Sequence, residues 1–120
     1  MFAAHYKLDN FVAIIDNNGL QIDGDVAEVM SPYPIVDKLV AFGFHVVAID
    51  GHDFDQIEKA MNEIKSVKGK PGAIVMKTVK GKDVSFMENN AGWHGKAPNA
   101  AEYEQAMGEL KAIYAELEAK

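Results

Sequence analysis

Side chains that carry oxygen are concentrated between Asp16 and Asp25, in the stretch Asp-Asn-Asn-Gly-Leu-Gln-Ile-Asp-Gly-Asp. Hard cations such as Mg²⁺ are bound by carboxylate, amide and backbone carbonyl oxygens, commonly with phosphate oxygens completing the coordination shell. The stretch is therefore chemically suited to a Mg²⁺–diphosphate site. Its Asn-Gly and Asp-Gly pairs are also typical of simple turns, and composition alone favours the turn. The glycine and glutamate spacing of an EF-hand loop is missing.

A second stretch of interest runs from Thr78 to Pro98 and begins among lysines. Lys77, Lys80 and Lys82 place cations at the predicted end of a strand, where an anionic group can bind. A solvated charge cluster explains the same pattern, and the lysines by themselves favour that simpler interpretation.

Two histidines lie in segments that suggest a ligand-binding edge. Trp93-His94-Gly95 contains the only tryptophan of the chain, and His52 lies in Asp50-Gly51-His52-Asp53. A histidine in such a place can donate a hydrogen bond to phosphate or act as an acid–base group. A structural role is the more frequent one for a single histidine, so both interpretations stay open for each residue.

Three short apolar runs predict the strands that position these residues. They are Phe11 to Ile15, Phe44 to Ile49 and Ala73 to Met76, each bounded by Gly, Asn, Asp or Pro. Continuous rather than alternating apolarity indicates strands covered on both faces, as in a parallel sheet.

Helical patterns separate and follow the strands, over Pro34 to Phe42, Asp53 to Val67 and Asn99 to Glu118. Asp53 with Gln56, and Asn99 with Glu102, have the spacing of N-terminal capping boxes. The last helix carries an apolar stripe that we expect to pack in the core rather than to bind a cofactor. The stripe consists of Tyr103, Ala106, Met107, Leu110, Ile113, Tyr114 and Leu117.

Strands that alternate with helices predict an α/β fold, a three-layer α/β/α arrangement with a parallel sheet. Ligands bind such sheets beyond the carboxyl ends of the strands. Three connections emerge there: Asp16 to Tyr33, Asp50 to Asp53, and Thr78 to Pro98. The first and third are much longer than an ordinary connection of about 2–6 residues, so we expect function in them.

The composition of the 120-residue chain is that of one ordinary domain, with 48% hydrophobic and 25% charged residues. The net charge of −6 argues against a general affinity for nucleic acid or anionic membranes. The chain has no cysteine and no apolar run long enough to cross a bilayer. These features are compatible with a reducing cytosol, and we expect a cytoplasmic protein. Ser-His-Asp, Gly-x-Gly-x-x-Gly and Walker patterns are missing.

Five segments, in order and spacing, resemble transketolase, and most closely the bacterial and archaeal transketolases split into two subunits. The resemblance covers essentially the whole chain and implies a single, partial thiamine-diphosphate-binding domain over residues 1–120, with a partial thiamine-diphosphate-binding fold. The matching segments are Ile15 to Gly24, Ala48 to Asp53, Lys70 to Ile74, Lys77 to Gly81, and Trp93 to Gly95.

The resemblance implies transfer of a two-carbon ketol unit between sugar phosphates, with thiamine diphosphate and Mg²⁺ or Ca²⁺ as cofactors. Asn18 matches the asparagine that binds the metal through its side chain, and Leu20 matches a residue that binds it through the backbone carbonyl. Ile22 matches an apolar residue packed near the cofactor rings. His94 matches a histidine beside the diphosphate and the substrate, and is the candidate catalytic residue. It would hydrogen-bond phosphate or assist proton transfer.

The sequence departs from the family pattern in one respect. The family's cofactor signature begins with Gly-Asp-Gly and ends at the asparagine matched by Asn18, but this sequence begins 17 residues before Asn18 and contains no Gly-Asp-Gly. The third metal ligand and the pyrimidine-binding subunit or domain are therefore expected to lie outside it.

Three expectations follow for the isolated chain. It should bind the cofactor weakly or not at all, and so be inactive alone. It should form a homo-oligomer, because missing sheet neighbours expose a strand edge and apolar surface. The alternative is a non-catalytic binding or oligomerisation module derived from this fold.

Overall fold

A computed structural model describes residues 1–119, which contain five strands, five α-helices and one 3₁₀ turn. In chain order the elements are α1 (Phe2–His5), β1 (Val12–Asn17), β2 (Leu20–Gln21), β3 (Gly24–Asp25), α2 (Val26–Met30), α3 (Ile35–Ala41), β4 (His45–Asp50), α4 (Phe54–Ser66), β5 (Gly72–Lys77), a 3₁₀ turn (Ala91–Trp93) and α5 (Ala100–Glu118).

The three predicted strands form one parallel sheet in the order β1-β5-β4. β5 is the central strand, and its Lys77 is level with Asn17 at the end of β1 and with Asp50 at the end of β4. The carboxyl ends of all three strands therefore meet at one edge, as the sequence predicts.

Both faces of the central strand are covered. Ile74 is 1% exposed and packs against Ala60 and Ile64 of α4. Ala73 and Val75 point to the opposite face, because successive side chains of a strand alternate, and both are also buried. This burial confirms the predicted α/β/α layering around a parallel sheet.

The two long helices begin at the predicted caps. The Asp53 carboxylate accepts the Gln56 backbone N–H at 3.1 Å, and Gln56 Nε2 donates back to Asp53 at 2.8 Å. At α5 the Asn99 side chain accepts the Glu102 N–H at 3.0 Å, while the Glu102 carboxylate accepts the Asn99 N–H at 2.8 Å. The reciprocal bonds at α5 form a full capping box and satisfy two backbone donors that a helix start leaves free, whereas at α4 the Gln56 side chain bonds the Asp53 carboxylate, so that cap is not a full capping box.

The segment from Asp16 to Tyr33, predicted as a long loop, contains regular structure. β2 and β3 pair in antiparallel fashion with Leu20 opposite Asp25, and α2 follows directly. The Asp25 carboxylate caps α2 by accepting the Ala27 N–H at 2.7 Å. These elements are too short to show a hydrophobic period, which is why the sequence pattern missed them.

The apolar stripe of α5 is not a core stripe, so that prediction is wrong for the chain as described. Ala106 is the one buried residue that α5 contributes among residues 1–119. Tyr103 is 52% exposed and Tyr114 62% exposed. Polar contacts hold α5 at its middle: Ser85 donates its backbone N–H and its hydroxyl to the Glu109 carboxylate, both at 2.7 Å. These bonds join the helix to a surface turn.

The overall shape is flat and extended. The Cα radius of gyration is 17.6 Å, whereas a compact domain of this length has about 14 Å. The principal extents are 52 × 39 × 18 Å. Within residues 1–119 we find no helix that is long and apolar enough to span a membrane.

Candidate functional site

The carboxyl ends of the strands are tied to one another by side chains and backbone. The Thr78 hydroxyl, just after β5, donates to the Asp16 carboxylate of β1. On the other side the Gly51 N–H, just after β4, donates to the Lys77 carbonyl at 2.8 Å. The three connections that leave this edge therefore start from fixed positions.

Asn18 shapes the start of the first connection. Its Oδ1 accepts the Leu20 N–H at 2.9 Å, and its Nδ2 lies 3.4 Å from an Asp16 carboxylate oxygen. Between them Gly19 has a φ of 75°, which glycine adopts without steric cost. The turn interpretation of this stretch is thus confirmed. An amide oxygen has two lone pairs, so Asn18 Oδ1 keeps one for another partner.

All four residues singled out by the family resemblance line one cavity of about 270 Å³. Asn18, Leu20 and Ile22 come from the first connection and His94 comes from the third. The Ile22 residue is 66% exposed, so an apolar surface is available beside the polar groups. Gln21 and Lys80 complete the lining.

Trp93 fixes the segment that carries His94. Its indole Nε1–H donates to the Phe86 carbonyl at 2.9 Å, and the two rings pack with centroids 5.2 Å apart. The Lys96 ammonium lies 4.1 Å from the centroid of the indole, a favourable cation–π distance. The single tryptophan therefore has a structural role, and the adjacent His94 lines the cavity.

The three lysines near the end of β5 face different surroundings. Lys80 lines the cavity with His94, whereas Lys77 and Lys82 line a neighbouring cavity of about 460 Å³ together with His52. A hydrogen bond from Lys82 to Asp83 raises the pKa of the Lys82 ammonium and compensates its charge. The sequence did not distinguish Lys80 from the other two lysines, because the spacing of residues in a turn does not show which way each side chain points.

Two residues that line the cavity with His94 carry oxygen donors that suit a hard cation. The Asn18 amide oxygen and the Leu20 carbonyl are hard oxygen donors of the kind that Mg²⁺ selects. Among residues 1–119 no three His, Cys, Asp or Glu side chains are grouped so as to hold a metal ion. Mg²⁺ requires about six ligands in octahedral geometry. The residues present therefore fit one part of a metal–diphosphate site.

Known proteins with similar sequences are transketolases and transketolase subunits. The chain is 42% identical over 118 residues to an apulose-4-phosphate transketolase subunit of Phocaeicola vulgatus, covering 98% of the chain and 42% of that protein. It is 40% identical over 111 residues to the 6-deoxy-6-sulfo-D-fructose transketolase subunit SqwG of a Clostridium species, covering 92% of the chain and 40% of that protein. It is 38% identical over 120 residues to human transketolase, covering 99% of the chain and 18% of that protein.

Solved structures with a similar fold are also transketolases. The crystal structure of transketolase from Campylobacter jejuni superposes with a TM-score of 0.82 at 33% identity, over 89% of this chain and 17% of that one. The chain thus spans about two fifths of the subunit relatives and less than a fifth of the longer transketolases. The family model described as "Transketolase, thiamine diphosphate binding domain" matches residues 1–113. The chain therefore belongs to the transketolase thiamine diphosphate-binding domain family.

Proposed function

We propose that the chain forms part of the cofactor site of a transketolase, which moves a two-carbon ketol unit between sugar phosphates. One observation carries this proposal: Asn18, Leu20 and Ile22 of the first connection and His94 of the third line a single cavity. When bound, thiamine diphosphate supplies the carbanion chemistry, and the protein supplies binding and orientation. The cavity would take the diphosphate and metal end of the cofactor.

The four residues and Lys80 would each bind a different part of the cofactor or its metal ion. The Asn18 amide oxygen and the Leu20 carbonyl would bind Mg²⁺ or Ca²⁺, as hard cations prefer oxygen ligands. The Lys80 ammonium supplies positive charge for phosphate oxygens. The exposed Ile22 side chain gives the apolar part of the cofactor a surface to cover. His94 would donate a hydrogen bond to phosphate or assist proton transfer at the substrate.

The remaining parts of the site would come from residues outside this sequence. Two of the similar proteins are named as subunits of transketolases, which supports a second, pyrimidine-binding subunit or domain as partner. The chain also presents an open sheet edge at β1, where Phe11 is 44% exposed and Ile14 58% exposed. Exposed strand edges and apolar patches favour association, so we include a homo-oligomer in the proposal.

The test compares the chain alone with the chain complemented by a polypeptide carrying the Gly-Asp-Gly segment and the pyrimidine-binding domain. Isothermal titration with thiamine diphosphate and Mg²⁺ should show weak or undetectable binding to the chain alone. The complemented assembly should bind with micromolar affinity and transfer ketol units between sugar phosphates. His94→Ala should abolish most transfer, whereas His45→Ala, at the far end of β4, should not.

Two outcomes would count against the proposal. Micromolar cofactor binding by the chain alone would show that its site is not partial. An assembly that forms but binds no cofactor would favour the alternative, a non-catalytic binding or oligomerisation module.

A further inference from the structure

The third connection leaves the sheet at a bond made by His52. The ladder of β5 ends with the Thr78 N–H, which donates to the Asn17 carbonyl at 3.5 Å. The next donor, the Val79 N–H, has no strand opposite it and donates to Nε2 of His52 at 2.8 Å. A side chain from the connection after β4 thus continues the hydrogen bonding where the sheet stops.

The turn that carries His52 is itself held close to β5. The His52 backbone N–H donates to Asp50 Oδ1 at 2.9 Å. A Cβ added to Gly51 would lie 2.5 Å from Thr78 Cγ2 and 2.9 Å from Met76 Cβ. Only glycine allows so close an approach, and this packing brings the imidazole within reach of Val79 independently of the bond between them.

The anchored backbone leads directly to the cavity. Lys80 follows Val79 and lines the cavity with His94 and Asn18. The Lys80 carbonyl accepts the Asn89 N–H at 3.0 Å, which closes the turn that continues toward His94. A shift at Val79 would therefore move one cavity-lining residue directly and a second one through the closed turn.

We propose that His52 is a positioning residue of the site, whose neutral imidazole holds the Val79 N–H and thereby places Lys80 and His94. A ring nitrogen that accepts a hydrogen bond carries no proton, so the proton of the neutral ring lies on Nδ1. An imidazolium donates from both nitrogens and cannot make this bond. The effect of His52 on cofactor binding rests on the proposed function, whereas its hydrogen bond to the Val79 N–H does not.

The first test uses the chain alone and needs no ligand. Nitrogen NMR of the His52 ring should show the Nδ1-protonated tautomer. His52→Ala should speed hydrogen exchange of the Val79 amide about five- to tenfold, the effect of one net hydrogen bond. His52→Gln should restore protection, because its Oε1 can accept at a similar reach. His45→Ala is the control, and the buried Ile74 amide reports whether each variant is folded.

An Nε2-protonated tautomer would overturn the proposal, and so would Val79 exchange that is unchanged in a folded His52→Ala. The second test titrates thiamine diphosphate with Mg²⁺ into the complemented assembly. His52→Ala should raise the cofactor Kd severalfold and His52→Gln should largely restore it, while His45→Ala leaves it unchanged. If the wild-type assembly binds no cofactor, the proposed function is wrong, and the tautomer and exchange results decide the role of His52.

Discussion

Asn18 forms a turn in the structure, and the proposed function gives the same amide group a metal-binding role. Its Oδ1 accepts the Leu20 N–H at 2.9 Å, so it holds the turn that leads into Leu20, and both residues line the cavity with His94. The amide would then bind metal through its remaining lone pair. The sequence pattern offered turn and metal site as alternatives, yet one residue can serve both, since a fixed turn pre-organises two ligands.

Substitution of Asn18 should separate these roles. Asn18→Ala removes the turn acceptor and should lower the free energy of unfolding by about 1 kcal/mol. Asn18→Asp keeps an acceptor oxygen and should have a smaller effect. Urea unfolding followed by circular dichroism measures both. Asn62→Ala, on the exposed surface of α4, is the control; an equal loss in Asn62→Ala and Asn18→Ala would refute the structural role of the turn.

The secondary-structure elements that could be predicted from the sequence are those that depend on neighbouring residues. Strands and capped helices were predicted because apolar runs and the Asn99–Glu102 pair act within a few residues of each other. The apolar stripe of α5 was predicted as core and is largely exposed, since the period of a helix shows which side is apolar and not what covers it. The candidate residues Asn18, Leu20, Ile22 and His94 came from the family resemblance, whereas the separation of Lys80 from the other lysines and the bond to His52 depend on contacts between connections.

The cap of α5 gives a pH prediction. The pKa of Glu102 is lowered, first by the hydrogen bond from Lys96 and then by the Asn99 N–H. Because the pKa of Glu102 in the folded chain lies below the ordinary glutamate value of 4.5, its ionised carboxylate stabilises the folded state above pH 4.5. This stabilisation is lost as the pH falls through the folded pKa. Helicity of the wild type should therefore decrease below this pH more steeply than that of Glu102→Gln. Far-UV circular dichroism measures it.

A matched control keeps the pH test specific. Glu104→Gln changes the same charge at an exposed position of the same helix, and it should follow the wild-type curve. If Glu104→Gln and Glu102→Gln have the same acid profile, the capping carboxylate is not the source of the pH dependence. The salt bridge to Lys96 is exposed, with side chains 52% and 25% accessible, so its effect should weaken at high salt.

At the scale of the whole molecule, the extended shape and the exposed apolar side chains have one origin. The sheet has three strands, and β1 and β4 form its edges. The buried cluster contains Ala60, Ile64 and Ile74, while Val12 packs against it and Ile14, on the same face of β1, is 58% exposed. A fold with such a small core gains stability when another surface covers this face.

Self-association of the isolated chain should therefore depend on β1. Light scattering at tens of micromolar should show a dimer or larger species, because an open strand edge with exposed apolar residues favours pairing. Ile14→Lys adds a charge to this face and should shift the protein toward monomer. Phe54→Lys changes another exposed apolar residue, 86% accessible at the start of α4, and should leave the association intact. A wild-type chain that stays monomeric, or equal dissociation by both variants, would show that β1 is not the contact surface, whereas selective dissociation by Ile14→Lys would identify this strand as the site that a partner covers.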